Sequence, residues 1–323
     1  MNVHAAALAK AHRFEQQTSP FVRDVIDGLS QPQKSLPPKY FYDAAGSELF
    51  DQITRLPEYY PTRTELGILR QRGAEIAASL PADAALIEFG AGSTTKVRLL
   101  LNECEFGAYV PVDISGDYLN AQARALRQDF PRLDVYPVTA DFTAPFALPE
   151  AVEAMPKVGF FPGSTLGNFE PKEASAFLST ARAILQDGAE MLIGIDLEKD
   201  ERRLHAAYND GAGVTAKFNL NLLIRINREL GANFDVSAFT HRAIYNRELH
   251  RIEMHLVSRT AQTVRILGRS FAFRAGETIH SENSYKYSLD RFAALARSAG
   301  WTPRKSWLDA EKLFSVHVLV ASR

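Results

Sequence analysis

The sequence predicts an α/β fold, a parallel sheet covered by helices on both faces, with a second segment inserted before the sheet pattern is complete. Three observations predict it. Between Ala84 and Asp196, short apolar runs alternate with helical patterns, as expected of strands joined by crossover helices. The apolar runs end in glycines or acidic residues, and the carboxyl ends of strands are where open sheets of this kind bind ligands. The alternation breaks after Asp196 and resumes at Leu289, so the intervening chain belongs to another structure.

Taken in order, Phe21, Val22, Val25, Ile26 and Leu29 recur at helical spacing, and Gln31 to Pro38 form a stiff, non-helical connector. An aromatic-rich stretch, Lys39 to Asp51, leads to Tyr59 and Tyr60 between Pro57 and Pro61. The prolines predict a rigid loop there, and Thr62 to Glu65 has the spacing of a capping box opening the next helix. The sheet strands are then expected to end at Phe89, at Val112 before Asp113, at Val138 before Asp141 and Phe142, at Phe161, and at Ile195 before Asp196. A helix is expected from about Pro171 to Leu185. Residues 199–247 read as helices, with Asn219, Asn221 and Asn227 among apolar positions. Arg251 to Leu256 and the surroundings of Phe271 read as strands, and the chain closes with a helix to Ala299 and strands from Trp301 and Ser315.

The totals exclude several function classes. Lys plus Arg number 37 against 38 Asp plus Glu, so global charge gives no reason to expect a nucleic acid or an anionic membrane as partner. No apolar run reaches eighteen residues, and Met1 to Lys10 lacks the apolar core of a signal peptide, so no membrane association is expected. The single Cys104 makes no internal disulfide and suits a reducing, cytoplasmic setting. The histidines show no HxxxH or HxH pair, and a metal-free protein is expected.

The chemistry is concentrated at Ile87-Glu88-Phe89-Gly90-Ala91-Gly92-Ser93-Thr94-Thr95-Lys96, a strand, a glycine turn and a helix start. Glycines there let the backbone lie against a ligand, and the exposed amides of the helix start suit a polar or anionic small molecule. Nicotinamide dinucleotides and S-adenosylmethionine both use such a turn. The dinucleotide pattern needs a third glycine where Thr95 stands. Asp113 suits ribose hydroxyls in either case. Asp141 beside Phe142 favours a mononucleoside, since the acid accepts adenine amino hydrogens and the ring covers an adenine face. The closing helix and strand pair points the same way.

With these residues in place, the chain resembles the L-histidine Nα-methyltransferases of ergothioneine biosynthesis, which convert histidine to hercynine. The segments that carry the resemblance are KSLPPKYFYDAAGSELFDQITRLPEYYPTRTE, EFGAGSTTK, GSTLGN, AYNDGAGVTAKFN, IEMHL and ENSYKY, and it extends from Lys34 to Arg323. It implies a Rossmann-like class I methyltransferase domain at 61–196 and 287–323, with a substrate-binding domain of α+β character at 1–60 and 197–286. It also implies that Gly90, Lys96, Asp113, Asp141 and Phe142 contact S-adenosylmethionine. The histidine site would comprise Tyr59, Gly163, Asn168, Tyr208, Met254, Glu282 and Ser284, with Tyr208 and Tyr42 as candidate proton relays and Phe218 or the tyrosines facing the growing ammonium. A monomer is expected.

Plainer readings stand beside these. Asp113 could cap the helix after it, Asn168 could cap the helix from Pro171, Tyr59 and Tyr60 could pack a loop, and Met254 could be core. Glu282 reads in isolation as a solvated loop carboxylate. A related enzyme acting on another amino acid such as tryptophan, an NAD(P)-linked oxidoreductase, and a silent binding module are the alternatives.

Overall fold

A computed structural model of the chain describes residues 19–322. The reading of Met1 to Lys10 lies outside the described residues. The chain divides into two compact units, one of residues up to 60 with 200–284, the other of residues 61–199 with 285–323. The junctions thus lie at 199/200 and 284/285, where the sequence placed them at 196/197 and 286/287.

The larger unit is the sheet expected from the alternating pattern. Its strands are β2 (Ala85–Phe89), β3 (Ala108–Asp113), β4 (Asp134–Val135), β5 (Val138–Thr139), β6 (Lys157–Phe161), β7 (Glu190–Asp196), β13 (Trp301–Leu308) and β14 (Phe314–Ala321). The order is β13-β14-β7-β6-β2-β3-β4, with β5 also on β3. The pairs from β7 to β4 are parallel, while β14 runs antiparallel to β7 and β13. Alternate residues of one strand enter different cores. Ala85, Ile87 and Phe89 pack with Val110, Val112 and Phe161, whereas Leu86 packs with Tyr109, Val158 and Phe160. This two-sided burial explains the near-continuous apolar runs. The order reverses between β2 and β6, which makes their carboxyl ends the switch point of the sheet.

Three expectations for this unit need correction. The helix after the tyrosine pair runs Tyr60–Ala77, so Tyr60 begins it instead of lying in a loop; Pro61 is tolerated because first-turn amides have no intrahelical partner. Glu65 closes no capping box, since its carboxylate binds Gly163 and Lys96. The expected third strand is two short pieces, β4 and β5, separated by Tyr136 and Pro137; a proline offers no amide to a ladder.

Beyond β7 the chain leaves this unit through a buried ionic cluster. Asp196 is 1% exposed and pairs with Lys286 at 2.7 Å and with Lys199. Burial raises the Asp196 carboxyl, but the two ammonium groups outweigh it and hold the group below its ordinary range. Burial pushes Lys199 down to about 8. Leu197 and Tyr287 form a parallel bridge beside the cluster.

The smaller unit has a four-stranded sheet in the order β1-β12-β9-β8, made of β1 (Lys34–Ser35), β8 (Phe239–Asn246), β9 (Arg251–Ser258) and β12 (Thr278–Tyr285). A separate hairpin joins β10 (Gln262–Ile266) and β11 (Arg269–Phe273). Its helices are Pro20–Leu29, Ala44–Ile53, Glu201–Tyr208 and Val214–Leu230. The five apolar residues singled out at the start of the chain are the buried face of Pro20–Leu29. β8 corrects the all-helical reading of 199–247. It is an edge strand whose burial falls mainly on Phe239 and Ala243, too sparse for an alternating signal. β9 is buried on both faces and does not alternate between core and solvent; Arg251 and Glu253 enter as an ion pair at 2.8 Å.

The three asparagines noted in the sequence hold this unit together. Asn219 donates to His255 O and accepts from Ser281 Oγ, Asn221 donates to Asp43, and Asn227 exchanges hydrogen bonds with the backbone of Phe234. Buried amides persist because each donor and acceptor finds a partner.

Candidate functional site

In the sheet unit, the predicted cofactor residues gather at the carboxyl ends of the strands. Gly90 follows β2 with φ +77°, and a Cβ there would lie 3.1 Å from Phe142 Cε1. Only glycine leaves room for the ring at this backbone angle. Phe142 is held from behind by Phe161 and Phe177, with centroids 5.8 and 5.9 Å away. A Cβ on Gly92 would meet nothing within 4 Å, so the turn is open on that side.

Asp113 ends β3. It accepts from Ser115 N at 2.8 Å, and burial raises its carboxyl above the ordinary range. The following helix, Gly116–Asp129, starts after Ser115, so Asp113 is not its N-cap. Asp141 is exposed, and one of its oxygens accepts from the backbone and hydroxyl of Thr143 at 2.9 and 2.5 Å. A glycine turn, a ring against it and two acids on successive strand ends fit an adenosyl group, whose ribose and amine need acceptors and whose base needs a face.

Lys96 lies in the first turn of the helix Thr95–Glu103, and its ammonium is 2.6 Å from Glu65 Oε2. Gly163, just beyond β6, donates its amide to both oxygens of Glu65 at 2.9 and 3.0 Å. Glu65 was missed in the sequence. The available signal was its position three and four residues before Ile68 and Leu69, on the buried stripe of its helix. Asn168 closes a 3-10 turn, Thr165–Asn168, and the helix Pro171–Leu185 is capped instead by Glu170 and Glu173. Beneath the glycine turn, Glu88 accepts from Tyr109 OH. Burial pushes its carboxyl up to about 7, although Tyr109 and Lys96 oppose the shift.

In the smaller unit, the predicted substrate residues form a second group. Tyr208 ends the helix Glu201–Tyr208 and shares a 2.7 Å hydrogen bond with Ser284 on β12. Glu282 is two residues before Ser284 on the same strand, so both side chains leave one face. Glu282 is 9% exposed and Ser284 5%; neither is the solvated loop residue that local composition suggests. Met254 is buried on β9, and its carbonyl accepts from Ser281 Oγ at 3.1 Å.

An aromatic group accompanies them. Tyr59 lies 6.3 Å from both Phe50 and Tyr208, while Tyr42 lies 5.6 Å from Phe50 and 5.8 Å from Phe218, centroid to centroid. Tyr42 keeps 39% of its surface exposed, the remainder being packed in the protein. That burial, with Glu282 and Tyr208 nearby, raises the phenol above its ordinary range. Its backbone is fixed by the next residue. Asp43 caps the helix Ala44–Ile53 through Gly46 N and is gripped by Asn221 and Arg228 at 2.8 and 2.6 Å. Phe50 and Asp43 are further residues that sequence reasoning did not single out.

The same unit brings Glu253, His255 and His280 together, with ligand atoms within 4.8 Å of one another. HxH spacing does not reveal it, because Glu253 and His255 come from β9 and His280 from β12. Arg251 already engages Glu253 through Nε and Nη2 at 2.8 Å, and the imidazoles stack with centroids 4.8 Å apart. A cation there would have to compete with the Arg251 guanidinium for Glu253. Burial, together with His280, lowers His255 to about 4. In the sheet unit, a cavity of 540 Å³ beside Phe146, Leu148, Lys157 and Ile184 contains none of the predicted site residues.

Over residues 21–321 the chain matches the family described as histidine-specific methyltransferase, SAM-dependent. The chain belongs to that family. It is 44% identical to the histidine N-alpha-methyltransferase of Mycolicibacterium smegmatis, covering 92% of this chain and 94% of that one. It is 43% identical to the protein of the same name from Mycobacterium tuberculosis, covering 89% and 90%. Ergothioneine biosynthesis protein 1 of Neurospora crassa is 30% identical over 90% of this chain, which spans 33% of that longer protein. The protein is therefore an S-adenosylmethionine-dependent methyltransferase. Among the described residues, no helix is long and apolar enough to cross a membrane.

Proposed function

We propose that the protein methylates the α-amino group of L-histidine three times to give hercynine, the first step of ergothioneine biosynthesis. The observation that carries the histidine assignment is Glu282 and Ser284 on one face of β12, with Tyr208 bonded to Ser284 at 2.7 Å. A carboxylate and a hydroxyl two residues apart suit the N–H and the ring nitrogen of an imidazole. A site built around such bonds discriminates against side chains that leave them unmade.

S-adenosylmethionine, when bound, supplies an electrophilic methyl on a sulfonium. We assign it to Gly90, Asp113, Asp141 and Phe142, with Lys96 toward the carboxylate of its methionine portion. Since Glu65 is also a partner of Lys96, that carboxylate would meet an ion pair instead of a lone cation. Tyr59, Gly163, Asn168, Tyr208, Met254, Glu282 and Ser284 are assigned to histidine. Tyr42 acts as a hydrogen-bond donor in this reading, because its raised phenol stays protonated and makes a poor base. The aromatic faces of Tyr42, Tyr59 and Phe218 suit a methylated ammonium. Positioning the amine and excluding water is the main task of such a site. No metal enters this reading. The lone cysteine, Cys104, supports a cytoplasmic setting.

The test is to incubate the pure protein with S-adenosylmethionine and each common amino acid and to read product masses. Histidine gaining three methyl groups is expected. No methylated product with any amino acid would sink the proposal, and methylated tryptophan alone would move the assignment to an aromatic acceptor.

A further inference from the structure

The sheet unit contains a buried carboxylate that the reaction scheme does not use. Glu65 is 1% exposed, and an unpaired carboxylate at such a position is strongly disfavoured. It is instead fully engaged from two sides. Gly163 N reaches both of its oxygens at 2.9 and 3.0 Å, and Lys96 Nζ reaches Oε2 at 2.6 Å. Lys96 follows β2 and Gly163 follows β6, so Glu65 bridges the two sides of the switch point of the sheet.

Two glycines make this geometry possible. A Cβ on Gly194 of β7 would lie 2.1 Å from Glu65 Oε1, and one on Gly163, at φ +83°, would lie 3.1 Å from Lys96 Nζ. The space occupied by the carboxylate therefore exists because β7 has no side chain at that point. The residue after Gly163 is also held, since Ser164 Oγ accepts from Asp196 N at 2.9 Å. Two consecutive residues of the segment leading to Asn168 are thus anchored by buried polar contacts. A site gains rate from such supporting contacts when they fix its groups within a fraction of an ångström.

We propose that Glu65 is a positioning residue for methyl transfer, one carboxylate that sets both the place of the Lys96 ammonium and the turn carrying Gly163 and Asn168. The proposal rests on the assignment of Lys96 to the donor and of Gly163 and Asn168 to histidine. It adds a residue that touches neither substrate but registers one side against the other. A rigid anion shared by two such groups holds their separation more tightly than two independent contacts would.

The test uses the full-length protein and two variants. Glu65→Gln keeps the shape and one acceptor for Gly163 but turns an amide toward Lys96. Gly194→Ala keeps every charge and displaces the carboxylate by steric contact. Both are expected to lower kcat by about 10- to 100-fold, the scale of a misplaced reacting group, with the smaller share of the loss in KM. Glu65→Asp, one methylene shorter, should fail to restore the rate. In protein labelled with 15N-glycine, the Gly163 amide proton should move upfield in Glu65→Gln, as a charged acceptor is replaced by a neutral one. Wild-type kcat in both folded variants, or a loss that only tracks the unfolded fraction, would overturn the proposal. Wild-type protein that methylates histidine alongside fully active variants removes Glu65 alone; wild-type protein that methylates nothing removes the functional reading first.

Discussion

The hydroxyls of Tyr208 and Ser284 are 2.7 Å apart, which ties the last residue of a helix to a strand 76 positions further along the chain. Either hydroxyl can be the donor of this bond, since each can donate and accept. Tyr208→Phe removes one member and keeps the ring. It should raise the KM for histidine and lower kcat/KM by about 10-fold, the worth of one hydrogen bond near the upper end of the usual range. Steady-state kinetics with histidine varied at saturating donor would check this; unchanged constants would take Tyr208 out of the histidine site.

Glu282 is the strongest candidate for recognising the imidazole. Glu282→Ala should weaken histidine binding by about 1.5 to 3 kcal/mol, the range for a hydrogen bond to a charged group. Titration calorimetry reads this directly. Equal affinity in variant and wild type would remove Glu282 from the site.

The aromatic group makes a prediction about intermediates. Tyr42 and Phe218 lie 5.8 Å apart and both contact Phe50. If these faces hold the methylated ammonium, Tyr42→Leu should weaken binding of Nα,Nα-dimethylhistidine by about 1 kcal/mol. Phe at this position should retain most of that energy. Comparable losses in the leucine and phenylalanine variants would show that the hydroxyl, not the ring face, matters.

Glu88 gives a pH dependence of stability with a definite sign. Burial raises its carboxyl from 4.5 to about 7, so the folded chain binds a proton that the unfolded chain has released between those limits. Stability from this group therefore falls as pH rises through that window. Glu88→Gln mimics the protonated form. Its stability should match the wild type below the window and exceed it by about 3 kcal/mol above pH 8, taking each pKa unit as roughly 1.4 kcal/mol. Urea unfolding at the two pH extremes measures the difference, and a constant offset across pH would refute the assignment.

Much of the sheet unit was legible because its strands are buried on both faces and therefore apolar throughout. The residues that end them, Gly90, Asp113, Asp141 and Phe142, could be read as a set for the same reason. Glu65 was not legible in that way. Its local spacing satisfies a capping pattern, and only the distant partners Lys96 and Gly163 reveal its use. β8 escaped because an edge strand buries few residues and carries polar ones. Glu282 and Ser284 were visible only through family resemblance, since their run of small and polar residues reads locally as a loop; burial on β12 comes from neighbouring strands. The histidine and glutamate trio lay hidden because β9 and β12 bring together residues with no common motif.

The ionic cluster at Asp196 has an evolutionary corollary. Lys199 and Lys286, both bound to Asp196, flank the points where the chain departs from the sheet unit and rejoins it, and the Leu197 and Tyr287 backbones are bridged beside them. Departure and return are thus adjacent, and the strand order of the sheet does not depend on the length or content of what lies between. A chain with this arrangement tolerates exchange of the intervening cassette, because neighbouring ends impose little strain on whatever joins them. Replacing that cassette changes Tyr208, Met254, Glu282 and Ser284 together, while Tyr42 and Tyr59, which precede the sheet unit in the chain, stay behind.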